Sequence, residues 1–410
     1  MAIENKSTTK ILAPLLLTVF LDLLGVGVVI PIAAPLLLNP STGMLPIDFT
    51  LTHRSIILGF LLGSYPLAQF FGAPILGAMA DRYGRKKLLT LSLIGTCIGY
   101  IIFAIGIYEH SILLCFLSRI LDGFTGGNIA IAMSSIADVT DEKNRARNFG
   151  LIGMSFGIGF VLGPFIGGKL ADPSIVSWFT FATPYWFTAI LSAVNIFLIS
   201  ILFKETLPKA RQTEISFFTG FRNIHTAFSD SNLRTIFLVV FFFTFGFNCF
   251  TQFFQVFMIG KHHYNQSDIA DMFAFIGICL AITQGALTRP LSKKFSPYQI
   301  PKISVLMLGL VMPFLIFPDQ SKYLYCILPF IAIFNGLTTP NTTALVSMQA
   351  GPEKQGSIMG INQSMQSLAM AIPPILAGFI TTININLPII TASCSILIAW
   401  LIFITNVKKP

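Results

Sequence analysis

Residues 77–87, GAMADRYGRKK, set five charged side chains, Asp81, Arg82, Arg85, Lys86 and Lys87, between two long apolar runs at 55–80 and 88–107. Each run is long enough to cross roughly 30 Å of hydrocarbon as a helix. A charge at the bilayer centre costs about 3 kcal/mol or more, so the stretch must return the chain to water between two spans. The bias of Lys and Arg toward cytoplasmic loops assigns that water to the cytoplasm.

The rest of the chain follows the same pattern. Hydrophobic residues make up 54% and charged residues 10%, against about 25% charged in soluble domains. Twelve apolar segments are predicted as spans: 11–37, 55–80, 88–107, 111–137, 149–171, 183–203, 234–260, 270–290, 300–317, 323–349, 356–380 and 387–407. The run from Ile11 is too long for a signal-peptide core and is expected to be the first anchor. Loops assigned inside carry 21 Lys and Arg, loops assigned outside carry 4 (Arg54, Lys169, Lys261 and Lys322), and Arg119 lies within a span. This asymmetry predicts a multi-pass protein of the cell (inner) membrane with both termini cytoplasmic. The net charge of +9 then reads as topology and contact with anionic membrane lipids, and nucleic acid is not an expected partner. All six cysteines fall inside apolar segments and form no C-x-x-C, so they are read as packing residues.

Two spans carry buried charge. Span 1 holds Asp22 near its middle, followed by Gly25, Gly27 and Pro31; an acid at that depth points to function, the alternative being a structural bond to a neighbouring helix. Span 4 holds Arg119 and Asp122, three residues apart and so on one face. They can form a self-neutralised packing pair or a protonation switch. Asn128 follows the Gly126-Gly127 step, and a second charge cluster runs from Asp138 through Asp141, Glu142, Lys143, Arg145 and Arg147.

Elsewhere the polar residues within spans are neutral. Tyr65 and Gln69 are one turn apart in span 2, and Asn248, Gln252 and Gln255 put a polar face on span 7 among nine phenylalanines, many of which are expected to face lipid. Asn335 and Asn341 mark span 10, and Asn362, Gln363 and Gln366 mark span 11. Each set can line a substrate path or serve as interhelical glue. In span 5, Gly159, Gly163 and Gly167 form a strip without side chains, with Pro164 and Gly168 beside it, which admits another helix closely. The overlapping G-x4-G-K is not a phosphate loop, because Leu170 stands where Ser or Thr would hold magnesium. No cofactor is expected, and any work must draw on a gradient. His262 and His263 in an outside loop lack an evident third metal ligand. The loop 204–233 divides the chain, and Phe217, Phe221, Ile224 and Phe228 have helical spacing there, fitting a surface helix or a plain linker.

The second half reads as a diverged copy of the first. Lys293–Ser296 falls opposite Asp81–Gly84, Asn335 and Asn341 opposite Asp122 and Asn128, and Pro373, Pro374 and Gly378 opposite Gly163, Pro164 and Gly168. Arg119 meets Ala332 in this register, so the buried charges are not duplicated. The expected organisation is a six-helix half at 1–203, a central cytoplasmic loop at 204–233 and a second six-helix half at 234–410, an all-α membrane protein.

Gly77-x-x-x-Asp81-Arg82-x-Gly84-Arg85-Lys86-Lys87 resembles the signature loop of the major facilitator superfamily. Arg119-x-x-x-Gly123 and Gly159-x-x-x-Gly163-Pro164-x-x-Gly167-Gly168 resemble its proton-transfer and antiporter motifs, and with L-D-L-L-G-V-G-V-V-I-P in span 1 they resemble the twelve-span drug:proton antiporters, in particular the tetracycline/proton branch. The resemblance implies that Asp22 and Arg119 take part in coupling; Asp122 joins them only through its helical spacing from Arg119. It also implies that Gly77, Asp81, Arg82, Gly84, Arg85 and Asp138 build a cytoplasmic gate. The chain departs from the pattern at Asp122, where a small residue is usual, and in span 8, which has no histidine or central acid.

The function expected is proton-coupled export of a small amphipathic compound by alternating access, with a small molecule and protons as partners and a monomer as the working form. The rival on the same fold is a nutrient symporter. An intramembrane enzyme is disfavoured because neither H-E-x-x-H nor a G-x-G-D pair occurs; a non-transporting receptor is a third class.

Overall fold

A computed structural model describes residues 2–138, 155, 158–159, 162–207, 216–229, 231–348 and 355–407. Every regular element among them is helical. In chain order these are α1 (Ala2–Leu38), α2 (Leu51–Tyr83), α3 (Arg85–Tyr108), α4 (Ile112–Thr125) and α5 (Asn128–Asp138). After α6 (162–170) come α7 (Thr183–Leu202), α8 (Thr219–Ser229), α9 (Ser231–His262), α10 (Gln266–Ile282) and α11 (Thr288–Lys294). The last four are α12 (Gln299–Val311), α13 (Leu324–Met348), α14 (Gln355–Ile380) and α15 (Leu387–Asn406).

Ten helices among the described residues are long and apolar enough to cross a membrane, and α6 and α14 stand where the other two of twelve are expected. Contacts group Met1–Ile32 with Leu67–Thr219 in one unit and Ala33–Pro66 with Gly220–Pro410 in another.

In the first unit, span 4 is not one continuous helix. It breaks at Gly126 and Gly127 into α4 and α5. A side chain at Gly127 would stand 2.6 Å from the Ala73 Cα, so the glycines let the break lie against the backbone of α2. α6 packs on α1 through the predicted glycine strip: a Cβ at Gly163 would stand 2.8 Å from the Gly27 Cα, and one at Gly167 would stand 2.7 Å from the Val28 carbonyl oxygen. A buried cluster of Leu76, Ala80, Leu88, Leu89, Ile199 and Phe203 joins α2, α3 and α7 beside the charged loop.

In the second unit, the first half of α2 packs on α14, where a Cβ at Gly63 would stand 2.9 Å from the Ala371 carbonyl and one at Gly378 would stand 2.7 Å from that of Ser55. Span 8 contains a π-helical turn, Thr283–Leu287, between α10 and α11. Pro290 lies just beyond it; its ring clashes with the carbonyl four residues back, and a wide turn relieves that clash. The Thr288 hydroxyl donates to the Thr283 carbonyl across the turn at 3.1 Å.

Three sequence expectations change. The phenylalanines of α9 do not line the outside: Phe243, Phe250, Phe253, Phe254 and Phe257 are buried, and Phe241, Phe242, Phe245 and Phe247 are half-buried. α9 sits between α14 and α15, so its rings form the unit's core, as with Phe254 edge-on to Phe273 of α10 at 6.0 Å. Only Cys115 and Cys249 are buried packing cysteines, and Cys326 and Cys394 are exposed. Arg54, assigned to an outside loop, is 1% exposed.

Candidate functional site

The first unit brings two buried polar pairs together. Asn128, the first residue after the break, is fully buried and donates through Nδ2 to Asp22 Oδ1 at 3.0 Å. The other carboxylate oxygen, Oδ2, is buried without a hydrogen-bond partner among the described residues. The helix break is what aims Asn128 at α1, since its own turn begins there. In α4, Arg119 Nη1 donates to Asp122 Oδ2 at 3.0 Å, with side chains 5% and 4% exposed. Gly99 makes room for this pair: a Cβ there would stand 3.0 Å from the Asp122 Cβ.

The charged loop forms a second assembly. Arg85, 4% exposed, bridges Asp81 through Nη2 at 2.7 Å and Asp138 through Nε at 3.2 Å. One planar guanidinium thus joins the end of α2 to the end of α5. Arg82 lies 5.4 Å over the Tyr83 ring. Gly84 needs to be glycine, with φ +105 at the turn between α2 and α3. Gly77 has no neighbour within 4 Å of its Cβ position among the described residues. Asp141, Glu142, Lys143, Arg145 and Arg147 lie outside the described residues.

The neutral candidates divide in use. Gln69 Nε2 donates to the Gly126 carbonyl at 3.1 Å, an acceptor that the end of α4 leaves without a helical partner. Gln255, fully buried, accepts from the Ala34 N–H at 3.2 Å and donates to the Gln252 carbonyl at 3.1 Å. Asn248 Nδ2 donates to the Thr244 carbonyl at 3.2 Å on its own helix. Asn335 accepts at Oδ1 from the Thr339 hydroxyl at 3.5 Å. The buried Oδ1 of Asn362 has no partner among the described residues, while Tyr65 is buried and Gln366 half-buried. Gln69 and Gln255 thus serve backbone groups, which leaves Asn362 and Gln366 better placed for another molecule. No cluster of three metal-ligating side chains occurs among the described residues.

Two groups escaped the sequence reading. Arg54 donates to four backbone carbonyls, through Nε to Phe49 at 3.1 Å, through Nη1 to Leu37 at 3.0 Å, and through Nη2 to Leu45 at 3.4 Å and Pro46 at 2.7 Å. Glu205 bonds the charged loop itself. Arg54 gave no sequence signal, since its partners are main-chain atoms. Glu205 gave a weak one, as an acid in a largely basic loop.

A family model described as Major Facilitator Superfamily matches residues 15–374. The chain is 30% identical to the tetracycline resistance protein, class C, of Escherichia coli over 362 residues, covering 88% of this chain and 86% of that one. It is 28% identical to multidrug resistance protein 2 of Bacillus subtilis, covering 92% and 90%. In three dimensions it resembles a D-xylose–proton symporter, with TM-score 0.76 and 15% identity over 98% of each chain.

Proposed function

The chain belongs to the major facilitator superfamily, a family of transporters rather than enzymes, and from that premise we propose that it exports a small amphipathic drug-like compound in exchange for protons. The observation that carries proton coupling is Asp22, buried in α1 with Asn128 as its one hydrogen-bond donor among the described residues. Asp22 Oδ2 accepts no hydrogen bond from the described residues, so it is the atom open to a proton. Protonation removes a charge from the interior and leaves the Asn128 contact on Oδ1 intact.

Arg119 and Asp122 form the second element. Their pair is neutral as a whole, and separating it would expose a buried cation to whatever anion approaches. In the exchange cycle, a proton entering from outside occupies Asp22 as substrate leaves. The Asp81–Arg85–Asp138 bridge holds the cytoplasmic side closed while the outside is open. Export is favoured over import by the resistance proteins that the chain resembles across most of its length. The fold serves either direction, since a proton symporter shares it.

In this reading the protein lies in a bacterial inner membrane with both termini cytoplasmic, works as a monomer and draws its energy from the proton gradient. Cells lacking their own efflux pumps test the proposal. Expression should raise tolerance to tetracycline or a quinolone, and Asp22→Asn and Arg119→Ala at equal membrane levels should lose it. Full tolerance in both variants would remove these residues from the mechanism.

A further inference from the structure

The charged loop is fastened to the end of α7 by an exchange of helix caps. Glu205 Oε1 accepts from the Arg85 N–H at 2.9 Å, and Oε2 accepts from the Lys86 N–H at 3.1 Å. These are the first two amides of α3, which have no partner within their own helix. In return, Lys86 Nζ donates to the Ser200 carbonyl at 2.8 Å, in the last turn of α7. Each charge sits at the end of the helix dipole that favours it.

The exchange has a fixed base. Ile199 of α7 and Phe203 at its C-terminal cap are buried in one cluster with Leu88 and Leu89 of α3, which holds the two helix ends together. At Phe203 the backbone becomes extended, with φ −84 and ψ 124, and two residues later it delivers Glu205 to the loop. Glu205 Oε1 also accepts from the N–H groups of Thr206 and Leu207, at 3.0 Å each, which holds the carboxylate in place. Gly84 completes the fit: a Cβ there would stand 2.6 Å from Glu205 Oε2. The signature glycine therefore gives the turn its positive φ and also leaves space for this carboxylate.

We propose that Glu205 is a positioning residue of the gate: by capping α3 it fixes the backbone from which Arg85 reaches Asp81 and Asp138. Glu205 touches neither acid; it acts through Arg85. Glu205 lies where the chain leaves α7 for the central loop, so the cap sits at that junction. The inference rests on the gate reading of the Arg85 bridge, but the cap itself can be measured without transport.

Amide hydrogen exchange of the full-length protein in lipid nanodiscs reads the cap directly. In Glu205→Ala the Arg85 and Lys86 amides should lose protection by about tenfold or more, since hydrogen bonds to a charged acceptor are among the stronger ones. Glu205→Gln should fall between, because its one oxygen can still serve Arg85. It also replaces Glu205→Ala if that variant does not fold. Unchanged protection in either variant would overturn the proposal.

Tetracycline flux in everted vesicles then separates positioning from support. Glu205→Ala should lower the maximal rate per molecule at unchanged KM, and adding it to Arg85→Ala should cost less than about twofold more, as for groups acting through one contact. Independent, multiplying losses would show that Glu205 does not act through Arg85. If the wild type moves no tetracycline, the export reading fails for that compound and the exchange result still decides the cap.

Discussion

Asp122→Asn is the substitution whose outcome most sharply separates packing from coupling. It deprives Arg119 of the carboxylate 3.0 Å away in a site where both side chains are about 5% exposed or less. Removing one partner from a buried ion pair costs about 3–5 kcal/mol, whereas replacing both by neutral groups of similar size is often close to neutral. The single variant should therefore lower the heat-denaturation midpoint of the purified protein, and Arg119→Gln/Asp122→Asn should recover most of that loss. Drug flux should not follow stability: both variants should stay at background, because neither can open and re-form the Arg119–Asp122 ion pair. The assay is a thermal melt in detergent beside drug accumulation in cells at matched protein level. A single variant as stable as wild type would show that Asp122 does not compensate Arg119. A double variant recovering flux with stability would reduce the pair to a packing device.

Other consequences are open to simpler measurements. Arg54→Lys should destabilise the protein by about 1 kcal/mol or more, because an ammonium has fewer donors than the four carbonyls need and each unmet acceptor costs about 1 kcal/mol or more; an unchanged melting midpoint would refute this. Gly163→Leu should abolish folded protein, since its Cβ would meet Gly27 backbone at 2.8 Å, while Gly77→Ala, with no described residue within 4 Å of its Cβ position, should express at wild-type level; membrane-fraction yields compare the two. Glu205 is pushed up by burial but lowered overall, because the N–H groups of Leu207, Arg85, Lys86 and Thr206 outweigh that effect. A depressed folded value means the cap's contribution is complete above the unfolded value of about 4.3 and is lost only as pH falls through the folded one. Protection of the Arg85 and Lys86 amides, corrected for intrinsic exchange, should thus be flat from about pH 5 to 8; a loss near neutrality would contradict the assignment.

The spans and the charged loop were legible because hydrocarbon imposes a length and forbids charge, and both rules act on local sequence. The Arg119–Asp122 pair was legible for the same reason, as helical spacing puts both on one face. The glycine strip of α6 could be read as a contact surface, but its partner, Phe20–Val28 of α1, could not, since nothing local says which helix will fill it. Contacts to main chain were the least legible. Gln69 and Gln255 fit a substrate path or interhelical glue equally well in the sequence, and only their carbonyl and N–H partners decide between the two, while Arg54 reads as a loop cation. The burial of the α9 phenylalanines was also hidden, because an aromatic span gives no clue to its number of neighbours.

The central claim is that a proton on Asp22 is exchanged for outward-moving drug. Everted membrane vesicles acidified inside by respiration measure that exchange directly, with labelled tetracycline added outside. Wild-type vesicles should accumulate the drug and release protons as they do so, and Asp22→Asn vesicles with the same protein content should do neither. Gradient-driven accumulation that persists in Asp22→Asn, or drug moving with protons rather than against them, would contradict it.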